Sequence, residues 1–223
     1  MTRRMILPLL FGLVGCAILI GLGTWQLQRL AWKNAVLAQI SARLSDAPVP
    51  LPAAPDPVAD KYLPVSVAGR FTGPEIDVLA SRKEVGAGYR VIAAFQTDEG
   101  RMILVDRGFL PEDQRARPRM ATTARIVGTL HWPQETDGFT PPPDAAREIW
   151  FARDVPSMAA KLQTEPVLVV AREATGDGIT PLPVDTQGIP NNHLNYAVTW
   201  FSLAAVWAGM TLLLLWRIRR RTD

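Results

Sequence analysis

The sequence predicts an α+β membrane protein in which two transmembrane helices flank an extracytoplasmic, mainly antiparallel β domain. Three observations predict it. Uncharged apolar runs occupy 5–23 and 194–216, short alternating or apolar segments separated by turn residues fill the space between them, and Arg217, Arg219, Arg220 and Arg221 crowd the far end of the second run. With 223 residues, 48% of them hydrophobic, the middle of the chain is long enough to bury one core. The expected organisation is a first span at 1–24, an amphipathic extension at 25–47, a linker at 48–60, a β-rich domain at 61–190, a second span at 191–216 and a basic cytoplasmic tail at 217–223.

The first run follows Arg3 and Arg4, and about 19 apolar residues is near the minimum for crossing a bilayer. Leu13-Val14-Gly15-Cys16 resembles the lipobox of a bacterial lipoprotein, in which the cysteine is lipidated. Against lipidation, the run stays apolar through Ala17, Ile18, Leu19 and Ile20, so Cys16 reads as a small packing residue within a span. A single cysteine excludes an intramolecular disulfide framework and any cysteine-rich zinc or iron-sulfur site.

Beyond Gly23, the residues Leu30, Leu37, Ile40 and Leu44 recur at helical spacing while Arg29, Lys33, Gln39 and Arg43 take other faces. The span therefore continues as an amphipathic helix, with Pro48 marking its end. Trp25 and Trp32 suit the membrane interface, and Arg29 and Lys33 can snorkel to phosphates or neutralise the carboxylates of a ligand. A proline- and alanine-rich linker follows.

Strands are predicted at 63–71, 75–81, 89–97, 102–109, 125–132, 149–152 and 167–171, with a helix at 155–162 and long loops at 134–147 and 173–190. Asp98-Glu99-Gly100 reads as a hairpin turn. Connections this short favour antiparallel pairing or a partly closed barrel. No catalytic set emerges, so no enzymatic activity is expected: G-x-S-x-G, a phosphate-binding glycine loop and HExxH are all missing from the sequence. His131 reads as an ordinary strand-end histidine, Asp106 and Arg107 as a structural ion pair or turn anchor, and Arg115, Arg117 and Arg119 as an exposed basic cluster. Six of the 24 Lys and Arg residues lie at the two ends of the chain beyond the apolar runs, and the 18 left between the runs face 20 of the 21 acids, so the middle is slightly acidic, which argues against nucleic-acid binding.

The second run spans roughly 34 Å as a helix of about 23 residues. Its flanking arginines put its C-terminal end in the cytoplasm, and with two spans the central domain then faces the periplasm or its equivalent. Gly12 with Cys16, Ala204 with Ala208 and Ala205 with Gly209 are expected to let the spans pack. At the mouth of this run His193, Tyr196 and Trp200 share one helical face. Two readings stand: an aromatic belt with a hydrogen-bonded histidine, or a face that receives a flat metal-bearing ligand with neutral His193 as axial donor, since imidazole is a usual ligand of haem iron.

Five segments in order, GTWQLQRLAWK at 23–33, GRF at 69–71, GYRVIAAF at 88–95, ILVDRGFLP at 103–111 and NNHLNYAVTWFSLA at 191–204, resemble the Surfeit locus protein 1 family of cytochrome c oxidase assembly factors. Ala94 stands where the family pattern favours proline, and Asp106 and Phe109 where asparagine and tryptophan are frequent. The resemblance implies a multi-pass protein of the bacterial inner membrane that acts as a chaperone in respiratory chain biogenesis. It further implies that the protein binds haem a and helps insert it into oxidase subunit I, with haem a synthase and membrane lipid as further partners. His193 is carried over as the iron ligand; joined to the shared helical face, this puts Tyr196 and Trp200 along the macrocycle and the carboxylates toward Arg29 or Lys33, with Trp25 as a further cofactor-binding residue. A cofactor-free membrane-anchored scaffold for assembly partners is the alternative, and a haem enzyme or electron carrier ranks third.

Overall fold

A computed structural model describes residues 3–83, 85–119, 122–186 and 189–220, the side chains of Arg3 and Arg4 excepted; Arg221, counted in the basic tail, lies outside the described residues. The chain forms two compact units, one of 1–39 with 187–223 and one of 40–186.

The first unit is a helix pair. Helix α1 runs without interruption over Arg3–Leu44, and helix α3 over His193–Arg220. Both are long and apolar enough to cross a membrane. A rise of about 1.5 Å per residue gives α1 a length of roughly 63 Å, about twice the hydrocarbon thickness, so the amphipathic extension is the same helix carried past the apolar run. It stops at Leu44, four residues before Pro48.

The two helices run antiparallel, because contacts climb one as they descend the other. The Trp207 indole N–H donates to the Gly12 carbonyl at 3.2 Å, Cys16 Sγ lies 3.9 Å from the Ala204 carbonyl, and Phe201 covers Gly23. Gly12, Gly15 and Gly23 are the sockets. A Cβ on Gly12 would sit 2.2 Å from a Thr211 methyl, and one on Gly15 would meet the Trp207 ring at the same distance. The three glycines thus admit bulky residues, while Cys16 meets Ala204, small against small. The seam on α3 passes through Ala197 and Ala204, both buried, and this leaves Ala205 and Gly209 on the outer surface, contrary to the packing expected for that pair.

The second unit is a mixed sheet closed on itself. Its strands are β1 (Val49–Pro50), β2 (Pro64–Arg82), β3 (Gly86–Thr97), β4 (Met102–Pro111), β5 (Thr123–Leu130), β6 (Ile149–Trp150) and β7 (Leu168–Ala171), with helix α2 at Val155–Leu162. The long ladders β2–β3 and β3–β4 are antiparallel, as their short connections require, and β5 returns to pair antiparallel with β2 after β3 and β4 have intervened. Strand β7 then lies parallel to β4 and antiparallel to β5, which closes the circuit β2–β3–β4–β7–β5–β2. Strands β1 and β6 add short parallel pairs to β2.

The apolar runs fill both sides of this wall. Ala93, Phe95, Ile103, Val105, Val167 and Val169 pack in one cluster, while Ile92, Ala94, Leu104, Leu168 and Val170 point the other way. Met158, Ala159 and Leu162 of α2 cover that second face. Strands buried on both sides need no polar alternation, so they read as continuous hydrophobic runs.

Three segments differ from expectation. The strands at 63–71 and 75–81 are one strand with a bulge between Phe71 and Glu75, where Gly73 takes φ +107°, so the Thr-Gly-Pro turn signal is spent on a bend inside β2. The expected linker at 48–60 belongs to the sheet unit: β1 pairs with Val65 and Ser66, Leu51 packs on the core, and Asp56 caps the turn by accepting from the N–H groups of Val58 and Ala59. The expected loop at 173–190 is strapped to the sheet at Thr180. Thr180 and Phe109 exchange two backbone hydrogen bonds, made possible by Gly108 at φ +114°, where a Cβ would fall 2.1 Å from the Thr180 carbonyl.

The charged residues of the sheet unit also differ. Asp106 and Arg107 are both fully buried but do not pair with each other, because successive strand residues face opposite sides. Asp106 accepts from Arg90, from Arg153 Nη1 at 3.0 Å and from the Gly108 N–H. Arg107 donates to Glu75 at 3.1 Å and to Asp177 at 2.7 Å, and lies over the Phe71 ring. Arg115 and Arg119 are not a solvated cluster: Arg115 pairs with Asp77 at 2.8 Å and covers Tyr89, and Arg119 pairs with Glu75. Only Arg117 of the three is exposed without an ion pair among the described residues.

Candidate functional site

The helix pair concentrates its polar chemistry where α3 begins. His193 is the first residue of α3, and the residues before it are tied down by α1. Lys33 Nζ donates to the Pro190 carbonyl, and Asn191 Nδ2 donates to Asn34 Oδ1 at 2.8 Å. One turn further, His193 Nδ1 lies 2.8 Å from Gln26 Oε1. Gln26 is buried on the seam, whereas His193 is half-buried.

An amide oxygen can only accept, so with Gln26 Oε1 toward the ring this pairing calls for the imidazole proton on Nδ1. Nε2 then carries the lone pair, and it has no hydrogen-bond partner among the described residues. A histidine whose one nitrogen is held by a neighbouring acceptor and whose other is free is the usual arrangement of a metal-ligating imidazole.

The other expected residues divide between seam and flank. At about 100° per residue, positions three beyond a seam residue fall on the same flank of an antiparallel pair, so Arg29 (from Gln26) and Tyr196 (from His193) face one side. Trp25 shares it, and both aromatics are open, Tyr196 at 56% and Trp25 at 54% exposure. Arg29 is exposed and lies over the Trp32 ring, 4.0 Å from its centroid. Trp200 sits half-buried nearer the seam. Deeper along this flank an apolar groove of about 480 Å³ is lined by Gly15, Ile18, Leu203, Val206 and Met210. Lys33 is not free on the flank as expected of a carboxylate partner; it is engaged with Pro190.

Gln26, Asn34 and Asn191 are the residues that sequence reasoning missed. A signal existed, because Gln26 and Lys33 are seven apart and share a face, and Gln26 is polar within a stretch that meets another helix.

His131, the other histidine, stays outside this site. Its ring stacks on Tyr62 with centroids 5.5 Å apart, and its Nδ1 is buried without a partner among the described residues. Burial, with Arg153 and Lys61 nearby, holds its pKa down to about 4. No group of three or more His, Cys, Asp or Glu residues able to hold a metal occurs among the described residues.

The folded ring therefore binds fewer protons than the unfolded one, whose pKa is about 6.5, so its contribution to stability is present above about pH 6.5 and lost as pH falls toward about 4. After allowance for solvent screening at a partly exposed ring, acidification from about pH 7 to about pH 5 should cost about 1 kcal/mol through this group. His131→Phe, which keeps the stack, should remove most of that loss. Thermal melting followed by tryptophan fluorescence at the two pH values checks it, and an equal acid loss in both proteins would refute it.

Comparison with known proteins gives a consistent result. A family model described as "SURF1 family" matches residues 13–205. The chain is 34% identical over 214 residues to a "SURF1-like protein" of Monosiga brevicollis, covering 87% of this chain and 82% of that one. It is 30% identical over 221 residues to a "SURF1-like protein" of Rickettsia felis, covering 94% and 95%. With "Surfeit locus protein 1" of Homo sapiens the identity is 32% over 210 residues, covering 83% and 70%.

Proposed function

The chain belongs to the SURF1 family, and from that premise we propose that it is an assembly factor for haem-copper cytochrome c oxidase that holds haem a at His193 and assists its insertion into subunit I. The observation that carries this reading is the His193–Gln26 bond at the mouth of two membrane-length helices, which leaves Nε2 as a ready donor.

Haem a, when bound, would supply an iron centre that an imidazole can ligate, along with an apolar macrocycle, carboxylates and a hydrocarbon tail. The residues fit such a group. His193 would offer Nε2, the open rings of Trp25 and Tyr196 with Trp200 beside them would cover apolar surface, and Arg29 would meet a carboxylate. The apolar groove on the same flank suits a hydrocarbon tail. Lys33 would act differently, by holding Pro190 and so fixing the start of α3. A single half-open ligand also suits a carrier, since a group locked between two buried ligands would be slow to pass on.

The proposal places the chain in the bacterial inner membrane as a multi-pass protein with its sheet unit in the periplasm. Arg217, Arg219 and Arg220 in the last turn of α3 support a cytoplasmic C-terminus. Haem a synthase and subunit I would be its partners, membrane lipid its surroundings, and transfer rather than catalysis its task. The test is to purify the full chain from cells that make haem a and to identify any pigment by absorption and mass. Haem a in the purified protein supports the reading; colourless protein from such cells would overturn it in favour of the cofactor-free scaffold.

A further inference from the structure

We propose that Gln26 is the positioning residue of the site, selecting the His193 tautomer in which Nε2 is free before any ligand arrives. This rests on His193 being the donor, as read above, but makes a claim about the protein alone.

Free neutral imidazole prefers its proton on Nε2, the wrong tautomer for donation from that nitrogen. Gln26 reverses the preference, because Oε1 at 2.8 Å rewards a proton on Nδ1. The amide is well placed to impose this. It is buried in the helix seam, in a stretch bounded by Gly23 against Phe201 on one side and Lys33 against Pro190 on the other. The histidine is only half-buried, which leaves its outer edge open.

The choice of an amide is itself informative. A carboxylate at this position would pull the Nδ1 proton harder, make Nε2 more basic and tighten its hold on a metal. A neutral amide orients the ring without that strengthening. Gln26 thus gives a donor that is ready but not tenacious, the property a transfer protein needs.

The experiment uses the full chain in lipid nanodiscs, prepared without haem and labelled with ¹⁵N-histidine. The chain has two histidines, so His131→Phe assigns the ring signals. At a pH well above the usual histidine range, wild-type His193 is expected to show a protonated Nδ1 and a bare Nε2. Gln26→Leu should move the proton mainly to Nε2, and Gln26→Glu should keep it on Nδ1. Wild-type protein already protonated on Nε2, or a Gln26→Leu protein unchanged from wild type, would overturn the proposal; the wild-type spectrum decides even if a variant fails to fold.

A second readout follows on haem-loaded protein. Gln26→Leu should weaken haem a binding about 10- to 100-fold, and Gln26→Glu should lower the reduction potential of the bound iron, which a merely structural role would not do. An unchanged potential in the Glu variant would count against the tautomer role. The two readings fail separately: protein that binds no haem a yet shows the Nδ1–H tautomer sinks the carrier function alone, and protein that binds haem a with the Nε2–H tautomer beforehand sinks only the role of Gln26.

Discussion

Replacing His193 with alanine is expected to remove most of the haem a that accompanies the purified chain, lowering affinity on the order of a hundredfold or more, beyond the 10–100-fold typical of losing a supporting contact. Truncation deletes the Nε2 donor, and the other histidine, His131, is engaged in its stack on Tyr62. The helix pair should survive, because Lys33 still holds Pro190, Asn191 still reaches Asn34 and Trp207 still donates to Gly12. The measurement is the ratio of haem to protein absorbance in protein from cells making haem a, with circular dichroism as the check on folding. A Tyr196→Phe control, which removes only an exposed hydroxyl, should keep the wild-type ratio. A His193→Ala protein with undiminished pigment would remove this residue from the site while leaving an assembly role standing.

How much of this was legible beforehand follows the range of the interactions. Helix α2 was readable at 155–162 and so was the Asp98-Glu99-Gly100 hairpin, because periodicity, Pro156 near the helix start and a turn glycine act within a few residues. The closing of the sheet was not. The pairing of β7 with β4 joins residues more than sixty apart, and no local pattern marks a strand as parallel. Charge reading failed for a related reason. Arg115 and Arg119 look like surface cations until Glu75 and Asp77 arrive from a remote segment to neutralise them, and Arg107, expected to pair with its neighbour Asp106, takes Glu75 and Asp177 instead. At the helix mouth His193 stood out as a rare residue in an apolar run, but its partner Gln26 needed the seam to be known first.

The same long-range pairing makes Asp106 the residue whose loss should damage the fold most. It is fully buried and accepts from two guanidinium groups, Arg90 and Arg153, as well as from the Gly108 N–H. Asp106→Ala leaves both cations in a poorly solvated site, where breaking one side of a buried pair costs about 3–5 kcal/mol. Arg153 keeps Glu135 and Arg90 keeps the Leu182 carbonyl, so the lower half of that range is the expectation. Asp106→Asn should lose less, since it retains the acceptor for Gly108. Thermal melting of the full chain measures both, with Arg147→Ala as the exposed-pair control, expected to change stability by less than about 0.5 kcal/mol. An Asp106→Ala protein as stable as the control would show that the two arginines find water or other partners. Because Arg90 also grips the segment that leads toward α3, the variant has a second use. If Asp106 serves the fold and not the site, protein recovered from the variant should be scarce, yet each folded molecule should carry as much haem a as the wild type.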